Sequence, residues 1–350
     1  MQGQVNMKIR KRNIVFVAAS LVILLLYLWI SEGGKGTIVT ALTALNPLWL
    51  LGGLVMMLLY WLLEAMCMQA IIRRLSPGYP FGRTWYVSMI GQLFNNITPF
   101  ASGGQPMQAV YLVHNGLSFG VATSALLSKF ILYQAVLTLY SSVVLILRYP
   151  FFVSNISGFG PFILLGYAVS VAVMFGLICI CFFQRFTRWI VSRSIGLLSR
   201  IRIIKRPDKA MNRAERELDS FHESFHMLRR HKGMMLEVAF FSFLQLTAYF
   251  LIPYFICLAF GLSSVSPWSA VSAQSVVLMF SSFIPLPGAM GGAELGFYNL
   301  FSTFIPEGFL NMSILIWRLI TFYLPIFVGL FLCLFTKKNK PKEALSDMVA

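Results

Sequence analysis

Charge is scarce in this sequence, and negative charge is the scarcest. Only 11% of the 350 residues are charged, with 12 Asp and Glu against 28 Lys and Arg, while 58% are hydrophobic. The mean hydropathy is +0.76. Soluble globular domains carry about 25% charged residues, so this composition excludes that class. The chain is therefore expected to be an integral membrane protein.

Short motifs of nucleotide and hydrolase chemistry are also missing. The sequence has no P-loop, no dinucleotide-binding fingerprint and no G-x-S-x-G elbow, so we do not expect ATP-driven pumping by this chain alone. Cysteine is rare, and its five occurrences lie in apolar runs, where it behaves as a small hydrophobe. No disulfide framework, metal site or cofactor is expected.

Long apolar runs are what the sequence has instead, and each must approach ~20 residues to cross a bilayer. Six runs meet this condition, and we predict about six full transmembrane helices from them: Ile14–Ile30, Pro47–Ile72, Ser118–Leu147, Pro161–Phe183, Met234–Phe260 and Phe309–Phe335. The prediction is an all-α polytopic membrane protein forming one membrane domain over residues 1–350.

The basic residues orient these spans, because Lys and Arg resist translocation in short loops. With the N-terminus inside, only Lys35 and Arg148 fall in outer loops, and only Lys129 and Arg318 fall within spans. Every other cation of the 28 lies on the inner side. The protein is thus expected in a bacterial-type cell membrane, with both termini on the cytoplasmic side. The net charge of +16 reflects topology and an anionic inner leaflet, and no nucleic-acid partner is expected.

Two further apolar regions, Thr84–Asn115 and Trp268–Ile305, are interrupted by Pro and Gly. Broken backbone at membrane depth must be buried in protein or line a cavity. We therefore predict two re-entrant helical hairpins rather than ordinary spans.

The two breaks share the pattern Pro-x3-Gly-Gly, which predicts an internal repeat. Pro99 precedes Gly103 and Gly104, and Pro287 precedes Gly291 and Gly292. An intramembrane cation follows each break at nearly the same distance, and the predicted topology opens the hairpins to opposite sides. We predict an inverted repeat with halves 47–183 and 234–335, and inverted repeats with broken helices are typical of transporters.

Four ionisable residues lie deep in apolar surroundings: Glu64, Lys129, Glu294 and Arg318. An isolated charge at the bilayer centre costs about 2.5–3.5 kcal/mol, so such residues pair or line a wet cavity. One interpretation is two structural ion pairs. The other is a substrate site in which Lys129 and Arg318 hold a phosphate, the prolines break the helices, and the glycines shape the path. Glu64 and Glu294 would then couple a proton or contact an amine.

Residues 184–233 form the main polar segment, expected in the cytoplasm. Within it Leu218, Phe221, Phe225 and Leu228 recur at helical spacing, which suits either a helix on the inner membrane surface or a solvated linker. The same segment contains an H-E-x-x-H match from His222 to His226, a zinc-protease pattern. No convincing third ligand follows it, so we do not expect a metalloprotease.

Three blocks resemble one known family: "GQLFNNITPFASGGQPMQAVYLV" from Gly91, "FIPLPGAMGGAELGFYNLF" from Phe283 and "WRLITFYLPIFVGL" from Trp317. They are similar to the transmembrane region of the lysylphosphatidylglycerol synthases. The resemblance implies a lipid flippase that moves a phospholipid, including aminoacylated phosphatidylglycerol, between leaflets. The C-terminal aminoacyltransferase domain of the full-length synthases is missing, so aminoacyl transfer by this chain is not expected.

Two other functions remain open from the sequence. One is a phosphatidylglycerol lysyltransferase or its partner subunit, and the other is an ion-coupled transporter of a small anion. The expected partners are membrane phospholipids, with a homo-oligomer or a separate lipid-modifying enzyme as further options.

Overall fold

The computed structural model describes residues 45–155, 159–200, 207–281 and 284–335. Within these ranges the chain forms α-helices and contains no β-strand. The helices are α1 (Pro47–Leu75), α2 (Phe81–Ile97), α3 (Gly104–His114), α4 (Phe119–Asn155), α5 (Phe159–Phe182), α6 (Gln184–Arg200), α7 (Pro207–Arg230), α8 (Lys232–Ala259), α9 (Pro267–Ser281), α10 (Gly292–Phe301), α11 (Glu307–Arg318) and α12 (Leu324–Phe335). A π-helical turn, Leu319–Tyr323, joins α11 to α12.

Among the described residues, four helical runs are long and apolar enough to cross a membrane: Pro47–Leu75, Phe119–Val153, Lys232–Ala259 and Glu307–Cys333. A bent pair, Val171–Phe182 with Gln184–Leu197, raises the number to five if it counts as one span. The prediction of a helical polytopic membrane protein is confirmed. The count of six is not, because Ile14–Ile30 lies outside the described residues.

Helices α1 and α8 pack against each other and run antiparallel along their length. The Asn46 amide at the start of α1 donates to the Ala259 carbonyl at the end of α8, at 2.8 Å. Further along, the Cys67 thiol lies 3.6 Å from the Ser242 hydroxyl. Asn46 also caps α1 by accepting the Leu48 amide, and Pro47 supplies a favourable first residue.

Both predicted hairpins are broken where Pro and Gly indicated. Helices α2 and α3 are joined through a short 3-10 turn, Pro99–Ala101, here called turn 1. Helices α9 and α10 are joined through Pro287–Ala289, here called turn 2. The residue after each proline has nearly the same left-handed backbone, with φ 55° and ψ 21° at Phe100 and φ 60° and ψ 17° at Gly288.

This architecture has the features that an inverted repeat requires. Helices α1 and α8, which precede the two hairpins, are antiparallel, and the two turns share one conformation and contact each other. Helix α12 packs on α2, where a Cβ added to Gly329 would lie 2.6 Å from Leu93. The half boundaries 47–183 and 234–335 stay predictions.

The apolar stripe of the polar segment packs on protein. Phe221 and Phe225 of α7 are buried with Cys181 and contact Leu127 and Ile131 of α4. Helix α7 also approaches the start of α4 closely, where the Glu217 carboxylate accepts the Gly120 amide at 2.8 Å. The stripe is therefore neither a membrane-facing surface nor part of a solvated linker.

Candidate functional site

The two turns bring the breaks of both hairpins to one place in the bundle. Turn 1 contacts turn 2, and α2 also lies against turn 2. The left-handed region is disfavoured for residues with a Cβ, yet Phe100, Ala101 and Ala289 all adopt it. Tertiary contacts must hold these turns in place, because isolated residues of these types rarely choose this conformation.

Turn 1 satisfies its freed backbone groups with side chains from the end of α2. The Thr98 hydroxyl accepts the Gly103 amide at 2.8 Å and donates to the Phe94 carbonyl at 2.6 Å. The Asn95 side-chain oxygen accepts the Gly104 amide at 3.1 Å. The predicted site did not include Thr98 and Asn95, although their place beside the Pro-Gly-Gly break was the available signal.

Gly104 lies where there is no room for a side chain. A Cβ at this position would lie 2.0 Å from Asn95 Oδ1 and 2.7 Å from the Gly91 carbonyl oxygen. Real Cβ atoms do not approach other heavy atoms this closely, so Gly104 allows α3 to begin directly against α2. A Cβ on Gly103 would lie 2.6 Å from the Thr98 side chain, whereas Gly291, its equivalent in turn 2, has open space around it and a φ of 81°. The paired glycines therefore act differently in the two turns.

Turn 2 is bound by Arg318, the cation at the end of α11. Its Nη1 donates to the Gly288 carbonyl at 2.9 Å, and its Nε lies 2.7 Å from Glu294 Oε1 in α10. The guanidinium carbon lies 4.8 Å from the ring centre of Trp317 and 5.6 Å from that of Phe322. Arg318 thus connects the broken hairpin to α11 through both charge and aromatic contacts.

This second pair is incompletely satisfied. Arg318 is only 5% exposed. Within the described residues its Nε and Nη2 make no aligned hydrogen bond, and neither does Glu294 Oε2. Buried donors and acceptors without partners cost about 1–3 kcal/mol each, and more when charged. The arrangement therefore has unused capacity for a polar ligand.

Lys129 of α4 pairs with Glu64 of α1, and this first pair is fully bonded at the carboxylate. The Lys129 Nζ contacts Glu64 Oε1, and the Gln245 side chain of α8 donates to Glu64 Oε2 at 2.9 Å. All three side chains are buried. Gln245 was missed by sequence reasoning because a single neutral amide in an apolar helix gives little signal.

The four charges predicted from the sequence therefore form two separate pairs instead of one four-membered cluster. Tyr60 lies one turn before Glu64, and Tyr249 lies one turn after Gln245. Their ring centres are 5.4 Å apart, which joins α1 to α8 beside the first pair. The roles assigned to these residues from sequence remain predictions.

The H-E-x-x-H match does not form a metal site in the described part of the chain. His222 is buried, and its Nδ1 lies 2.8 Å from the Leu218 carbonyl of its own helix. His226 is exposed. No group of three or more potential metal ligands is found among the described residues.

Apolar spanning helices around two broken hairpins define a class: polytopic α-helical membrane proteins with interrupted helices inside the bundle. Comparison with known proteins identifies the family. Residues 15–329 match the family described as lysylphosphatidylglycerol synthase TM region, and the chain belongs to that family.

Two archaeal proteins are similar along most of their length. A UPF0104 membrane protein of Archaeoglobus fulgidus is 26% identical over 296 residues, covering 81% of this chain and 85% of that protein. A UPF0104 membrane protein of Methanocaldococcus jannaschii is 22% identical over 350 residues, covering 97% and 98%. These similarities agree with a stand-alone transmembrane-region protein.

Proposed function

We propose that this protein moves a phospholipid, including aminoacylated phosphatidylglycerol, between the two leaflets of the membrane. The observation that carries the proposal is Arg318, a buried cation at the broken hairpin whose Nη2 has no hydrogen-bond partner among the described residues. The family name supports a lipid substrate, because it describes the membrane region of a lysyl-lipid synthase.

The chemistry of Arg318 suits a lipid phosphate. Guanidinium groups bind phosphate through N–H donors, and among the described residues Nη2 is a donor without a partner, while Nε faces Glu294 Oε1 at 2.7 Å. Helix α10 begins at Gly292 beside this group, and the amides at a helix start also favour anions. In this proposal Glu294 holds Arg318 in position and neutralises it until the phosphate arrives.

The first pair takes a different role. Both Glu64 oxygens already have partners, so Lys129 can bind phosphate only after Glu64 has gained another cation or a proton. Glu64 is then the group that couples lipid movement to a proton or receives a head-group amine. The glycines of the two turns provide the space in which a head group passes.

Transbilayer lipid movement in proteoliposomes tests the proposal. Head-group-labelled phosphatidylglycerol, lysylphosphatidylglycerol and phosphatidylcholine would be compared for wild type and Arg318→Ala. Arg73→Ala is a matched control, because Arg73 forms an ion pair with Glu237 at 2.5 Å that is partly exposed to solvent. We expect movement in wild type and the control and a loss in Arg318→Ala.

Other outcomes would point elsewhere. Movement unaffected by Arg318→Ala would make Arg318 a structural residue and reject this site. Uptake of inorganic phosphate without any lipid movement would favour the small-anion transporter. Formation of lysyl lipid from charged tRNA would favour the lysyltransferase.

A further inference from the structure

Helix α6 turns sharply away from the helix before it. The axes of Val171–Phe182 and Gln184–Leu197 meet at 96°, with only Phe183 between them. The Thr187 hydroxyl donates to the Ile180 carbonyl at 2.7 Å across this corner, and the Thr187 amide donates to the Phe183 carbonyl at 3.1 Å. If α5 crosses the membrane, α6 runs along its surface.

One face of α6 carries exposed apolar side chains. Phe186, Trp189, Arg193 and Leu197 are spaced three or four residues apart and therefore lie in one stripe, here called the α6 stripe. Phe186 is 42% exposed, Trp189 56% and Leu197 62%. Arg193 lies within this stripe, with its guanidinium carbon 5.9 Å from the Trp189 ring centre.

The opposite side of α6 is already attached to protein. Arg188 Nη2 lies 2.6 Å from Asp219 Oδ1 of α7, and Thr187 is buried. The Arg229 guanidinium of α7 lies 5.4 Å from the ring centre of Phe182 at the corner. These contacts fix which face of α6 is available for another partner.

The charge of α6 indicates what kind of surface its available face would contact. The sequence of α6 contains no acidic residue and four arginines: Arg185, Arg188, Arg193 and Arg200. This content opposes insertion of α6 across the hydrocarbon core. Aromatic side chains together with arginines on one face are typical of helices that lie at a lipid head-group boundary. An anionic leaflet matches both the apolar side chains and the charge.

We propose that the α6 stripe docks on the surface of an anionic phospholipid leaflet, with Phe186, Trp189 and Leu197 entering the head-group boundary. Arg185 and Arg193 contact the lipid phosphates. The sequence pattern allows α7 to be either a surface helix or a solvated linker, but the α7 stripe is buried on α4 and the exposed stripe lies on α6. This inference goes beyond the proposed lipid movement and does not depend on it.

Hydrogen–deuterium exchange of the full chain in nanodiscs tests the docking. Wild type would be compared in phosphatidylglycerol and phosphatidylcholine discs, following peptides from α6 and α7. We expect slower amide exchange in α6 in the anionic discs, reversed by high salt because surface charge attraction is screened. Exchange in α7 should be the same in both lipids, because its apolar face is covered by protein.

Charge variants give the second readout. Each arginine near an anionic surface contributes about 1 kcal/mol, so Arg185→Gln with Arg193→Gln should weaken docking roughly thirtyfold. Arg216→Gln with Arg230→Gln removes the same charge from exposed positions of α7 and should leave the α6 difference intact. Equal α6 exchange in both lipids for wild type would overturn the proposal, even if a variant fails to fold. An equal loss in both double variants would also overturn it, by showing a response to total charge only.

Discussion

The two ion pairs differ in a way that the repeated Pro-Gly-Gly pattern makes visible. Lys129 and Arg318 follow the two Pro-Gly-Gly breaks at nearly equal distances, so the cations occupy equivalent places. Their carboxylates do not, because Glu64 lies in the span before the first hairpin and Glu294 lies inside the second. The repeated pattern therefore reproduces the positive charges, while the two carboxylates that neutralise them come from different places relative to the breaks.

The consequence is a closed pair and an open pair. Glu64 has both oxygens occupied, by helices α4 and α8, so the first pair joins three helices. Glu294 and Arg318 leave polar atoms unused and connect only neighbouring parts of the second half. We therefore expect the first pair to hold the helices together and the second pair to be able to exchange partners.

Breaking the closed pair should give the largest loss of stability. Lys129→Met leaves the Glu64 charge buried, and removing one partner of a buried pair typically costs about 3–5 kcal/mol. The free energy of unfolding can be measured by denaturant titration in mixed micelles. Adding Glu64→Gln to Lys129→Met should recover most of the loss, because an amide can still accept from Gln245. A double variant as unstable as the single one would show that the pair is not the source of the effect.

Arg318→Met should reduce the stability of the protein less than Lys129→Met does, but it should reduce lipid movement more. Part of the Arg318 hydrogen-bonding capacity is already unused, so we expect the free energy of unfolding to fall by about 1–3 kcal/mol. Most of this loss comes from the Glu294 carboxylate and the Gly288 carbonyl, which lose their Arg318 partner in the variant. Lipid movement should nevertheless fall further than in the Glu64→Gln, Lys129→Met double variant. If the double variant loses more movement, the closed pair is the substrate site and the assignment must be reversed.

Substitutions of the residues after the two prolines should give the smallest effects on stability and should distinguish the two turns. At Gly288 an added Cβ would lie 2.0 Å from the Phe322 ring, so Gly288→Ala should cost about 1–3 kcal/mol. Phe100→Gly removes an exposed side chain and relieves a left-handed non-glycine residue, so the change should stay within about 1 kcal/mol. Thermal unfolding of both variants in detergent measures the difference, and similar losses would contradict it.

Features set by composition and local chemistry were predictable from the sequence. The apolar runs have the length that a membrane span needs, and the Pro-Gly breaks and isolated charges are features that a membrane span normally lacks. Each can be recognised from the local sequence alone. The four candidate charges could be found this way, but their pairing could not, because Glu64 meets Lys129 through packing of distant helices. Gln245, the second partner of the Glu64 carboxylate, and the Gly288 carbonyl, which accepts from Arg318, were hidden for the same reason.

The amphipathic helices show a second limit. An apolar stripe on a polar helix indicates that something covers it, but lipid and protein present the same hydrocarbon surface to it. Phe221 and Phe225 proved to pack on α4, whereas the exposed stripe lies on α6. The left-handed Phe100 was equally unpredictable, since its residue type disfavours the conformation that its surroundings impose.

The bond from Gln245 to Glu64 also has a consequence for synthesis of the chain. Lys129 follows Glu64 by 65 residues, but Gln245 follows it by 181. At about 5–20 residues per second, a ribosome needs roughly 10–35 s to reach the residue that completes this carboxylate. During that interval the newborn first half holds a partly bonded charge in the membrane. Quality-control proteases that recognise unsatisfied polar groups should therefore degrade chains that stop before α8, and spare chains that extend through it.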